Sequence, residues 1–245
     1  MLKKTILSSL LAIFSLGCFA QPQWQELNLR HYDEIKRIRF GFTLGANILD
    51  FSTISVLKPV TLPGVANPVR VRADVVSMRP GFNINAIMDY RISGVFNARI
   101  LPGICFGSRD LQFYDEEAAG NEALYTMPIQ SNYIELPIQL KYSAKRHSNF
   151  RPYIIGGINL RSNLTYKDDE NSGNYFQFAR FEPFYEFGIG LDTYFYYFKL
   201  SVELKVSKGI ENVLAKRKST PGFDPYMEVI DKMNSQSIQL SFHFE

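Results

Sequence analysis

The chain has 245 residues, with 27 Lys and Arg against 24 Asp and Glu, three His, two Cys and 14% aromatic residues. Removal of a basic leader takes Lys3 and Lys4 with it and leaves 25 basic against 24 acidic residues, so no basic surface for nucleic acid is expected. With cysteines only at Cys18 and Cys105, paired-cysteine metal spacing is excluded, and once the leader is gone so is an internal disulfide.

The first residues read as a secretory signal peptide. Lys3 and Lys4 precede an apolar run from Ile6 to Phe19, and Cys18-Phe19-Ala20 offers small residues for cleavage before Gln21. Residues 1–20 are therefore set apart from the fold. Lipidation of Cys18 is the alternative, disfavoured by Ser15, which stands where a lipobox has Leu. Residues 21–36 form a polar segment expected on the periplasmic side, as a leader or a docking peptide. The barrel is assigned to residues 37–245. No later apolar run reaches the roughly 20 residues of a membrane helix.

Eight candidate strands follow in chain order. Residues 37–51 place Ile38, Phe40, Phe42, Leu44 and Ile48 opposite Arg39, Gly41, Thr43 and Asn47. Residues 76–92 set Met78, Phe82, Ile84, Met88 and Tyr90 against Arg79, Asn83, Asn85, Asp89 and Arg91. Residues 95–108 set Phe96, Ile100, Ile104 and Phe106 against Asn97, Arg99 and Cys105. Residues 133–142 alternate Ile134, Leu136, Ile138, Leu140 and Tyr142 with Tyr133, Glu135, Gln139 and Lys141. Residues 150–164 oppose Ile154, Ile158 and Leu160 to Arg151, Tyr153, Asn159 and Arg161, and residues 180–194 oppose Tyr185, Phe187, Ile189 and Leu191 to Glu182, Glu186 and Asp192. Residues 197–208 are the cleanest, with Phe198, Leu200, Val202, Leu204 and Val206 against Lys199, Ser201, Glu203, Lys205 and Ser207. The last strand sets Ile238, Leu240, Phe242 and Phe244 against Gln239, Ser241, His243 and Glu245.

Successive strand side chains point to opposite faces. Charges on one face of nearly every strand, with Phe, Ile and Leu on the other, predict a barrel whose outside meets lipid. The fold class expected is all-β: an eight-stranded antiparallel transmembrane barrel of up-and-down topology. Connections alternate, with 52–75, 110–131, 166–179 and 209–235 long, and the turns near 93–94, 143–149 and 195–196 short. That is the pattern of short periplasmic turns and long extracellular loops, and an even strand count puts both termini in the periplasm. Within 209–235, residues 227–233 are read as a possible helical turn.

An eight-stranded barrel is filled by its own side chains. The inward charges expected are Arg79, Arg91, Arg99, Lys141, Arg151, Arg161, Lys199 and Lys205, facing Asp89, Glu135, Glu182, Glu186, Asp192 and Glu203. Buried charges must pair, so they predict a plugged lumen. Catalysis finds little footing: His31, His147 and His243 stand near no nucleophile motif, and there is no HExxH. No catalytic, cofactor-binding or metal-binding residue is assigned. Asp168-Asp169-Glu170-Asn171 is read as a solvated acidic loop, and Asn163-Leu164-Thr165 as a glycosylation sequence discounted by its place in a strand.

Several stretches together resemble the PorT family of outer-membrane barrel proteins. They are Arg39-Phe40-Gly41-Phe42-Thr43-Leu44-Gly45, Arg79-Pro80-Gly81-Phe82-Asn83, Leu101-Pro102-Gly103-Ile104-Cys105-Phe106-Gly107 and Tyr133-Ile134-Glu135-Leu136-Pro137. Lys141-Tyr142, then Lys145-Arg146 leading into Asn149-Phe150-Arg151-Pro152-Tyr153, and the ending Ser241-Phe242-His243-Phe244-Glu245 are the more particular part. The resemblance implies a non-enzymatic role in the type IX secretion system, which moves folded cargo across the outer membrane and is tied to gliding motility. It implies partners among other secretion-system proteins, met through the leader and periplasmic turns, including Lys145, Arg146 and His147. No cofactor and no small-molecule substrate are expected. The competing readings are a general barrel for adhesion or envelope integrity, a lipid-modifying enzyme, and a soluble ligand-carrying barrel with an apolar interior.

Overall fold

The computed structural model describes residues 28–29, 36–55, 59–60, 69–115, 123–164, 179–213 and 230–245. Ten strands run β1 Ile38–Ser55, β2 Pro59–Val60, β3 Val69–Arg91, β4 Phe96–Ile100, β5 Gly103–Asp115, β6 Ala123–Ser143, β7 Phe150–Asn163, β8 Phe181–Tyr194, β9 Lys199–Gly209 and β10 Ile230–Phe244. Each of the main strands pairs antiparallel with its sequence neighbours. β1 closes the ring by pairing with both β3 and β10, from Ile38↔Tyr90 on one side and Phe42↔Phe244 on the other. β4 and β5 occupy one place in the ring, both lying between β3 and β6. The result is the expected ring of eight, and closure leaves no open edge to be satisfied in lipid.

The predicted third strand is divided. Pro102 has no N–H to give to a ladder, and Leu101–Pro102 separates β4 from β5. On the neighbouring strand the β3–β5 register shifts between Arg79 and Phe82, around Gly81. A side chain at Gly81 would strike the Phe106 carbonyl, so only glycine lets the two strands approach there.

Outward positions carry the apolar residues: Phe40, Ile84, Ile138, Phe187, Ile189 and Val206 are among those 41% to 67% exposed. This belt is the surface that lipid covers. On β1 it runs from Ile38 to Ile48, about 33 Å along the strand and about 25 Å along the axis at a tilt near 40°. One end of the ring holds the short turns 92–95, 144–149 and 195–198 together with the start of β1 and the end of β10. Aromatic residues crowd that rim. Phe195 stacks on Phe198 at 5.0 Å, Phe96 lies 5.0 Å from Tyr142, and Tyr196 and Tyr197 project from their turn.

The opposite end differs from expectation. Segments 52–75, 110–131 and 209–235, read as long loops, are in good part strand: β1 continues to Ser55, β3 begins at Val69, β5 continues to Asp115, β6 begins at Ala123 and β10 at Ile230. Residues 230–233 are therefore strand, not helical turn; 227–229 lie outside the described residues, as do 165–178 with their acidic cluster. Above the belt the alternation inverts. Inward positions become apolar, with Leu49, Phe51, Leu111, Phe113, Phe184 and Met233 at most 4% exposed, while Gln130 and Lys232 face out. A barrel wall standing above lipid is wetted outside and must bury its apolar residues inside, as a soluble domain does.

Candidate functional site: a charge-paired lumen and its short-turn rim

Register decides which inward charges meet. Arg39↔Asp89↔Arg99 are direct neighbours across β1, β3 and β4. Glu135↔Arg161↔Glu182 line up across β6, β7 and β8, and Asp192↔Ser201↔His243↔Thr43 run from β8 round to β1. Cross-strand neighbours on one face lie within side-chain reach, so strands that alternate correctly also bring opposite charges together.

The tier nearest the short turns is organised around Arg99. Its Nε lies 3.3 Å from Asp89 Oδ2, one Nη 3.4 Å from Glu203 and the other 3.2 Å from Glu245. Arg39 donates to Asp89 at 2.8 Å, and Lys199 lies 2.6 Å from Glu245. Lys141 donates to both Asp192 oxygens and sits 3.6 Å over the Tyr153 ring, whose hydroxyl donates to Glu203 at 2.9 Å. A side chain at Gly190 would occupy the Tyr153 ring, so the missing Cβ is what seats that tyrosine.

The middle tier joins Arg161 to Glu135 at 3.3 Å and Lys205 to Glu186 at 3.1 Å. Asn159 donates to both carboxylates, Gln139 and Ser207 donate to Glu186, and Asn85 donates to Glu135. Highest lies Arg109, its guanidinium 3.2 Å from the Phe51 ring centre and donating to the Asp50 carbonyl, Ser131, Tyr133 and Ser235. Buried Glu182 balances this end, in the field of Arg109 and Arg161. Among the described residues the lumen thus holds Arg39, Arg99, Arg109, Lys141, Arg161, Lys199 and Lys205 against Asp89, Glu135, Glu182, Glu186, Asp192, Glu203 and Glu245. The signs balance.

Three expected members are not in this network. Arg79 is exposed and pairs with Asp110 at the upper rim; Arg91 and Arg151 sit at the short turns, bonding to the carbonyls of Ser93, Gly94 and Ala144. Arg91 and Arg151 lie at strand ends, where the inward face has already left the lumen, whereas Arg79 sits within β3 and is turned out beside the register shift between Arg79 and Phe82. Arg39 and Glu245, inward by alternation but outside the expected charge set, join the network. Arg109 does not stand out in the sequence, because residues 110–131 read as loop and put it at a strand's end. Cys105 is buried and accepts a hydrogen bond from Asn47, a packing role as expected.

His243, without a nucleophile neighbour in the sequence, has Thr43 Oγ1 at 2.7 Å from Nδ1 and Glu203 Oε2 at 3.3 Å from Nε2. The imidazole is thus hydrogen-bonded to Thr43 through Nδ1, while its Nε2 lies beside the Glu203 carboxylate without a hydrogen bond to it. All three are at most 2% exposed and enclosed by the ion pairs, so nothing larger than a proton or water reaches them. No cluster of three metal-ligating side chains occurs among the described residues.

At the rim, Lys145 and His147 are exposed, while Arg146 is turned inward on its own structure. It donates to the carbonyls of Asn28 and Ser148 and to Asn149 Oδ1, and lies 3.8 Å over the Tyr194 ring. The residue expected to greet a partner is already occupied.

Residues 19–215 match the family described as outer membrane protein beta-barrel domain. Among solved structures the chain is similar to Neisserial surface protein A, at 10% identity over 85% of this chain and 98% of that one, with a TM-score of 0.43. It is also similar to OprG of Pseudomonas aeruginosa, at 13% identity over 84% and 93%, TM-score 0.44. A third is Ail of Yersinia pestis, at 9% identity over 85% and 99%, TM-score 0.38, solved with the heparin analogue sucrose octasulfate. No curated protein matches the chain.

Proposed function

From a chain that belongs to the outer membrane protein beta-barrel domain family, and so to the outer membrane, we propose a non-enzymatic component of the type IX secretion system, of the PorT kind, needed for export or surface delivery of cargo. The observation that carries the mechanistic part is the lumen. Among the described residues seven cations and seven anions fill it in tiers, and folded cargo has no path through an interior that eight strands make only wide enough for side chains. The barrel therefore serves as a membrane-held platform, acting through its ends. The short-turn end, with both ends of the barrel chain, faces the periplasm in this reading and meets other secretion-system proteins there. The motif resemblance from Arg39-Phe40-Gly41 to Phe242-His243-Phe244-Glu245 supplies the process. The test is a deletion strain with a complemented control, probed for where type IX cargo accumulates. Cargo trapped in the periplasm of cells with an intact outer membrane is the expected result; cargo reaching the surface normally rejects the role.

A second reading, a general barrel for adhesion or envelope integrity, is favoured by one observation. β3 and β6, at 23 and 21 residues, raise an apolar-cored wall beyond the lipid belt on the side of the long connections. Cells that secrete normally but lose surface attachment or detergent resistance on deletion would support it.

A further inference from the structure

The barrel holds a turn of its own amino-terminal segment. Asn28 donates its backbone N–H to Asn149 Oδ1 at 3.1 Å and its side-chain amide to the Tyr194 carbonyl at 3.2 Å, while Arg146 donates to the Asn28 carbonyl at 2.7 Å. Main-chain donor, main-chain acceptor and side chain are all read, by groups from the β6–β7 turn and the end of β8. Arg146 is fixed for this task by Ser148, Asn149 and the Tyr194 ring. A planar guanidinium held on an aromatic face with its fork spent on carbonyl and amide oxygens is a formed receptor, not a loose surface arginine.

Topology gives the contact a consequence. In the ring of eight, β7 stands four places from β1 in either direction, so Asn28 is anchored opposite the strand its own segment leads into. Arg37 is fixed at the start of β1, where its carbonyl accepts from the Arg91 N–H at 2.8 Å. We propose that Arg146, Asn149 and Tyr194 form a clamp that fastens the chain's own Asn28–Leu29 turn to the short-turn rim. This holds whether or not the secretion reading does. It also means that a partner approaching this rim meets the Asn28–Leu29 turn together with Lys145 and His147, in place of a free Arg146.

The chain's one tryptophan, Trp24, lies four residues before Asn28 and reports on the segment without an added probe. In the full exported chain in detergent, Arg146→Ala is expected to lower Trp24 anisotropy. It should also speed trypsin cleavage at Arg30 by about tenfold or more, since cleavage follows the population of the released form. Arg146→Lys, which keeps the charge and loses the fork, should fall between. Heat-dependent gel mobility checks that the barrel is folded. Unchanged anisotropy and cleavage in folded Arg146→Ala would overturn the clamp. If that variant does not fold, Asn28→Pro decides, because it removes the N–H and amide donors from outside the barrel: release supports the clamp, and no change overturns it.

Discussion

Arg99 shows how much one side chain carries. It contacts three carboxylates from β3, β9 and the chain end, all buried. Arg99→Met leaves those carboxylates short of a partner inside a closed lumen, and the expected cost is about 3–5 kcal/mol in urea unfolding. Thr43→Val removes only the His243 contact and should cost about 1 kcal/mol by the same measurement. The inward direction of Arg99, Lys141, Arg161, Lys199 and Lys205 was legible in strict alternation. Their partners were not, because alternation fixes the face of a residue and not its register. Arg99 meets Asp89 because of how β3 sits on β4, and it meets Glu203 across the lumen, which no local pattern encodes. The occupied state of Arg146 was equally invisible, since its partner Asn28 lies 118 residues away.

At the scale of the strand, one element serves two solvents. β9 presents Val202, Leu204 and Val206 to lipid and then Lys208, on the same face, above it. Leu204→Arg is expected to cost about 2–4 kcal/mol in lipid vesicles, the penalty for a charge deep in the belt, while Lys208→Ala should be near neutral. Above the belt the important face is the other one. Phe113 is fully buried in the inverted core, and Phe113→Ala should cost about 3–5 kcal/mol, against less for its half-buried neighbour Gln112. This inversion explains why the lower strands were readable and the upper ones were not. A search for apolar-out alternation finds Ile38 to Ile48 but stops where Leu49 and Phe51 turn inward and polar residues turn out. Residues 110–131 then look like polar loop although most of them pair in β5 and β6.

For the whole molecule, closure, belt and filling are one design. Strands that close into a ring satisfy the backbone, the belt holds the ring in the outer membrane, and a sign-balanced interior keeps buried charges tolerable. A platform of this kind can organise a secretion machine or a cell surface through its ends, but it cannot carry cargo through its middle. The measurement that meets this claim most directly is conductance of the purified chain in planar lipid bilayers. The account predicts a current indistinguishable from the protein-free bilayer, with steps appearing only when the lumen network is cut, as in Arg99→Ala combined with Lys141→Ala. Stable single-channel steps from the unmodified chain would contradict it.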